Sequence, residues 1–106
     1  MAKRVDKSQF QEEVLQSALP VLVEFYSDSC IPCKQLSPIL GQIEEDFEEK
    51  LKVVKVNVNF DEELAAAYHV MASPTILFFQ GGEETRRLRG AVKKEELLKQ
   101  VQEICG

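Results

Sequence analysis

The sequence has no tryptophan, a single histidine and only three cysteines among its 106 residues. Three is an odd number, so a disulfide framework that pairs every cysteine within the chain is excluded. The lone histidine, His69, follows a short predicted helix and reads as an exposed or half-packed residue rather than a catalytic one. No apolar run approaches the roughly 20 residues needed to span a bilayer. The basic run Met1-Ala2-Lys3-Arg4 is followed by no apolar stretch, so it does not read as a signal peptide, and a cytoplasmic location is the expectation. There is no Lys/Arg run elsewhere, and the formal net charge is −5. That balance disfavours nucleic acid and anionic membranes as partners. The acidic stretches Glu44-Glu45-Asp46 and Glu48-Glu49 fall on a predicted helix and read as solvated surface.

What is present is a globular mixture, 44% hydrophobic and 29% charged. A chain of this length can bury a core without staples. No repeat, low-complexity tract or linker interrupts it, so residues 1–106 read as one domain.

The element pattern is α/β. Ser8 and Gln11 have capping-box spacing and open a predicted helix to about Ser17, with Phe10 and Val14 on one face. Val21–Tyr26 is a nearly continuous apolar run, as expected of a strand covered on both faces. A long helix is predicted from Pro32 to Glu49, with Leu36, Ile39, Leu40, Ile43 and Phe47 as its apolar stripe and Pro38 as a kink. Leu51–Val58 alternates and reads as a strand, and Asp61 is placed to cap a short helix to about Tyr68. Thr75–Gln80 and Thr85–Arg89 form a hairpin across Gly81-Gly82. A last amphipathic helix carries Leu97, Leu98, Val101, Ile104 and Cys105. A short first strand near Arg4-Val5 completes a mixed sheet with helices on both faces.

The chemistry gathers in Ser27–Leu40. Cys30 directly follows the buried strand, and Cys33 falls in the first turn of the long helix. Residues three apart on a helix share a face, so the two sulfurs can meet. Unpaired N–H groups and partial positive charge at the helix start favour thiolate over thiol. Pro32 is tolerated there because its missing N–H costs nothing in the first turn. Three roles are open to the pair. Zinc needs four ligands, and the chain adds only His69 and Cys105, neither with ligand spacing to the other. A structural disulfide closing so small a loop removes little chain entropy. Thiol–disulfide exchange has neither objection.

The segments "VLVEFYSDSCIPCK", "VKVNVN", "MASPTILFF" and "RLRGAVKKEEL" stand in the order, and close to the spacing, found in the thioredoxin family. The chain resembles that family from about Phe10 to Ile104. The resemblance implies the thioredoxin fold in a single domain, with a mixed central sheet between helices. It implies Cys30 as an exposed attacking thiol and Cys33 as a more buried resolving thiol. It makes Pro74 a cis-proline facing the dithiol, with the backbone of Ser73 free to pair with an extended substrate. It makes Gly90 a position whose missing side chain lets substrate approach, and Pro38 the helix-kinking proline. Glu24 matches a buried aspartate that acts on the resolving cysteine, and Lys55 a lysine near that acid. Burial at mid-strand would raise the Glu24 pKa.

The departures lie around the thiols. Typical members carry Trp-Cys-Gly-Pro-Cys where this chain has Ser29-Cys30-Ile31-Pro32-Cys33. Ser29 removes a flat aromatic from the docking surface, and Ile31 puts a stiff β-branched side chain between the thiols. Tyr26 occupies another usual tryptophan position. The implied activity is reduction of protein disulfides through Cys30 and Cys33. No bound cofactor is implied, a separate flavin-dependent reductase recycles the pair, and the protein is expected to be a monomer. A thioredoxin-like adaptor, or an oxidase or isomerase using the same dithiol, is the alternative.

Overall fold

The run that reads as a doubly covered strand forms the middle of the sheet. The computed structural model describes residues 2–106, so Met1 of the basic amino-terminal run lies outside the described residues. The elements in chain order are β1 (Lys3–Arg4), α1 (Lys7–Phe10), which continues as a π-helical turn (Gln11–Leu15), β2 (Val21–Tyr26), α2 (Ile31–Asp46), β3 (Lys52–Asn57), α3 (Glu62–Ala67), β4 (Thr75–Gln80), β5 (Glu83–Arg89) and α4 (Lys94–Cys105). The sheet order is β1-β3-β2-β4-β5. Both β1 and β2 pair with β3 in parallel, whereas β4 runs antiparallel to β2 and β5.

Alternation along β2 divides the core. Val21, Val23 and Phe25 face a cluster with Phe10, Val14, Leu64 and Phe79, from α1, its π turn, α3 and β4. Leu22 faces the other way, with Leu36, Leu40, Ile43, Leu97 and Val101 from α2 and α4. Successive side chains on a strand point to opposite faces, so Glu24 projects with Leu22 toward α2. Phe25, Leu22 and Phe78 are fully buried. Each such side chain contributes about 1.5–3 kcal/mol by leaving water. Leu36, Leu40 and Ile43 of the expected stripe are buried, with Ile39 and Phe47 packed at its margin.

Several boundaries differ from the sequence reading. The first helix is capped by Asp6, not Ser8: Gln9 N–H donates to Asp6 Oδ1 at 3.1 Å and Asp6 N–H to Gln9 Oε1 at 3.0 Å. Ser8 sits inside the helix and its hydroxyl donates to the same carboxylate at 2.5 Å. The long helix ends at Asp46 rather than Glu49, because the N–H groups of Lys50 and Leu51 both turn back onto the Phe47 carbonyl at 2.8 Å. Asp61 stands at the start of α3 without capping it; its carboxylate accepts the Lys7 N–H at 3.2 Å instead. The hairpin is tighter than expected, with β5 beginning at Glu83 and both Gly81 and Gly82 at positive φ. Helix α2 runs without interruption through Pro38, which lies on its exposed side.

Candidate active site

Cys30 is the amino-terminal cap of α2, in extended conformation at φ −84° and ψ 107°. Its N–H returns to the Ser27 carbonyl at 3.3 Å, which turns the chain out of β2. Ile31, Pro32 and Cys33 then make the first turn, with proline where no N–H is needed. The Cys33 N–H donates to Cys30 Sγ at 3.1 Å. The sulfur therefore takes the place a serine or aspartate oxygen holds in an ordinary helix cap. Cys30 and Cys33 are bonded as a disulfide, with Cα atoms 5.2 Å apart. The resemblance implied an exposed Cys30, yet in this oxidised form it keeps only 9% of its surface, against 5% for Cys33.

Beneath the disulfide lies a cavity of about 200 Å³, whose lining includes Cys33, Glu24, Lys55, Tyr26 and Ser27. Glu24 is 4% exposed, and its Oε2 has no hydrogen-bond partner among the described residues. Burial penalises its charged form and pushes its pKa up to about 7, against the opposing pull of the Lys55 charge. Lys55 faces Glu24 across the β2–β3 ladder, is half-buried, and holds its ammonium 5.2 Å from the Tyr26 ring centre. A cavity of this size has room for more than one water. Cys33 and the Glu24 carboxyl therefore line one space large enough to hold solvent.

The second wall of the site is the segment before β4. The Ser73–Pro74 peptide is cis and Pro74 is buried. The Pro74 carbonyl accepts the Gly90 N–H at 2.9 Å, and the Thr75 hydroxyl donates to the Ala72 carbonyl at 2.6 Å. Gly90 sits beside Pro74 at φ +79°, a conformation that favours glycine, and a side chain there would meet no atom within 4 Å. Its backbone conformation, rather than crowding, is what requires glycine within this chain. Ser29 is exposed, Ile31 is 66% exposed and Met71 is 93% exposed, so the surface around the thiols keeps apolar area despite the absence of tryptophan.

Three residues that hold the loop were not singled out from the sequence. Asn57, only 2% exposed, donates from Nδ2 to Asp28 Oδ1 at 3.0 Å and accepts the Asn59 N–H at 2.8 Å. Ser27 meets Ser73, hydroxyl to hydroxyl, at 3.0 Å. A polar residue at the end of an apolar strand was the one available signal, because the partners come from distant segments. Among the described residues, no group of three or more His, Cys, Asp or Glu side chains is arranged to hold a metal ion. Exposed His69 and half-buried Cys105 lie on separate elements, and Cys105 Sγ points to the Lys50 carbonyl at 3.7 Å.

The arrangement suits exchange of a disulfide: two sulfurs in contact, a helix start that stabilises negative charge on one, and a buried acid near the other. The Thioredoxin family model matches residues 1–103. A thioredoxin of Rickettsia bellii is 39% identical over 101 residues, which is 95% of this chain and 96% of that protein. Thioredoxin 1 of a Nostoc species is 40% identical over 96 residues, covering 91% of this chain and 90% of its own. A thioredoxin of Rickettsia felis is 40% identical over 98 residues, covering 92% and 93%. With the sheet order, the capped dithiol and these matches in agreement, the chain belongs to the thioredoxin family.

Proposed function

We propose that this thiol–disulfide oxidoreductase reduces protein disulfides, with Cys30 as the attacking sulfur and Cys33 as the resolving one. In the reduced protein the Cys30 thiolate attacks one sulfur of the substrate disulfide. A Cys30–substrate bond forms, the substrate S–S bond breaks, and the other substrate sulfur leaves as a thiolate and takes up a proton. Cys33 then gives its proton to Glu24 through the solvent of the cavity and attacks Cys30. The Cys30–Cys33 bond forms and the second substrate sulfur departs, so two electrons have passed to the substrate. Lys55 holds positive charge beside Glu24 and favours the return of its proton to solvent. Ser29, Ile31, Pro32, Ser73, Pro74 and Gly90 line the approach, with the Ser73 backbone pairing with an extended substrate segment.

The observation that carries this reading is the Cys33 N–H on Cys30 Sγ at 3.1 Å, at the start of a 16-residue helix. That geometry stabilises a thiolate at the atom that must attack. We take residues 1–106 as one domain and the protein as a monomer of the cytoplasm, where it contributes to electron transport and redox homeostasis. A separate flavin-dependent reductase returns the disulfide to the dithiol. The test is reduction of insulin by dithiothreitol. The protein is expected to accelerate precipitation of the insulin B chain, and Cys30→Ser to abolish the acceleration. A rate no faster than the dithiothreitol blank would favour an adaptor role for the fold.

A further inference from the structure

The last ladder pair between β2 and β4 is Phe25 with Thr75. The same antiparallel register, carried two residues beyond that pair, sets Ser27 opposite Ser73. Among the described residues no backbone hydrogen bond joins the two segments there; the two hydroxyls do, at 3.0 Å and partly buried. Among the described residues no other side-chain hydrogen bond crosses between the Cys30 loop and the Ala72–Pro74 segment. The Ser27 carbonyl also holds the Cys30 N–H. One residue thus fixes the attacking cysteine through its backbone and the opposite wall through its side chain.

We infer that Ser27 and Ser73 are a pair of positioning residues, whose hydroxyl bond sets the distance between the Cys30 sulfur and the backbone on which an extended substrate lies. Each serine has one O–H donor, so when one bonds the other, the acceptor keeps its own O–H for solvent or substrate. The pair touches no reacting atom. Its effect is geometric: a substrate that pairs with Ser73 must present its sulfur to Cys30, and slack between the two walls misplaces it. A small disulfide that needs no pairing is indifferent to that slack. The inference rests on the reading of the protein as a reductase of protein disulfides.

The experiment compares the second-order rate constant at which the pre-reduced protein, freed of reductant, is oxidised in a single turnover by a protein disulfide, insulin, with that for a small aromatic disulfide, 5,5′-dithiobis(2-nitrobenzoate). It uses the full chain, Ser27→Ala, Ser73→Ala, the double variant and Ser27→Thr. Losing one neutral hydrogen bond at the positioning step is expected to lower the insulin-to-small-disulfide ratio about fivefold. Either single variant is expected to do this, the double variant to do no more, and Ser27→Thr to restore most of the ratio. Thermal melts of each variant separate this from a folding defect, since loss of folded protein lowers both rates together and leaves the ratio unchanged. An unchanged ratio in Ser27→Ala, or additive losses in the double variant, would overturn the inference. If the unsubstituted protein reduces neither compound, it is the reductase reading that fails.

Discussion

Glu24 and Lys55 face each other across the central parallel ladder, and the acid still keeps its proton to a higher pH than a free glutamate. Desolvation outweighs the neighbouring positive charge because Glu24 lies at mid-strand, with Oε2 unpartnered beneath α2. The consequence for stability has a definite sign. The folded-state pKa, about 7, lies above the ordinary glutamate value of 4.5, so the folded state binds more protons between those two pH values. Stability from this group is full below the unfolded pKa and is lost as pH rises through the folded one. Relative to Glu24→Gln, which carries no such titration, the unsubstituted protein is expected to lose about 3 kcal/mol between pH 4.5 and 7. Urea unfolding of both proteins at several pH values measures it. Parallel pH profiles would show that Glu24 ionises as freely as an exposed acid.

The two cysteines are expected to be unequal in reactivity. Cys30 caps the helix through its sulfur, whereas Cys33 faces the cavity with Glu24. Cys33→Ser is therefore expected to accumulate covalent adducts with a protein disulfide substrate through Cys30, and Cys30→Ser to accumulate far fewer. Non-reducing electrophoresis followed by peptide mapping reads the outcome. Equal trapping by both variants would reverse or erase the assignment.

Two glycines separate backbone strain from crowding. Gly90 has φ +79° and open space around it, whereas Gly82 has φ +84° and a side chain there would come within 2.9 Å of the Leu15 carbonyl oxygen. Gly90→Ala is expected to cost about 1–2 kcal/mol, the penalty of a left-handed alanine. Gly82→Ala is expected to cost more, because backbone rather than a mobile side chain must yield. Denaturant midpoints of the two variants give the order, and equal losses would mean that the clash is relieved.

The sequence revealed most where burial is continuous. Val21–Tyr26 and Thr75–Gln80 match their strands residue for residue, because nearly every residue of both is buried and their apolar runs are continuous. The first helix was misplaced because Asp6–Gln9 and Ser8–Gln11 offer the same spacing. What decides between them is tertiary: the Val5 N–H bonds to the Lys55 carbonyl, leaving Asp6 extended and poised to cap. The π turn over Gln11–Leu15 has no periodic signature apart from an α-helix, since Phe10 and Val14 are buried in either. At the site, the thiols, Glu24 and Pro74 were legible from motif and strand position. The Ser27–Ser73 and Asn57–Asp28 bonds were not, because each joins residues 46 and 29 positions apart through a register that only the assembled sheet defines.

The central claim is that the start of α2 makes Cys30 an acidic, attacking thiol. The direct measurement is the rate of Cys30 alkylation by iodoacetamide in the reduced protein as a function of pH, followed peptide by peptide. Cys105 serves as an internal reference, because burial raises its thiol pKa in the absence of any helix start. The account predicts a Cys30 midpoint clearly below the value of about 8.5 for a free thiol, with Cys105 reacting only at higher pH. A Cys30 midpoint at or above the free-thiol value would contradict it.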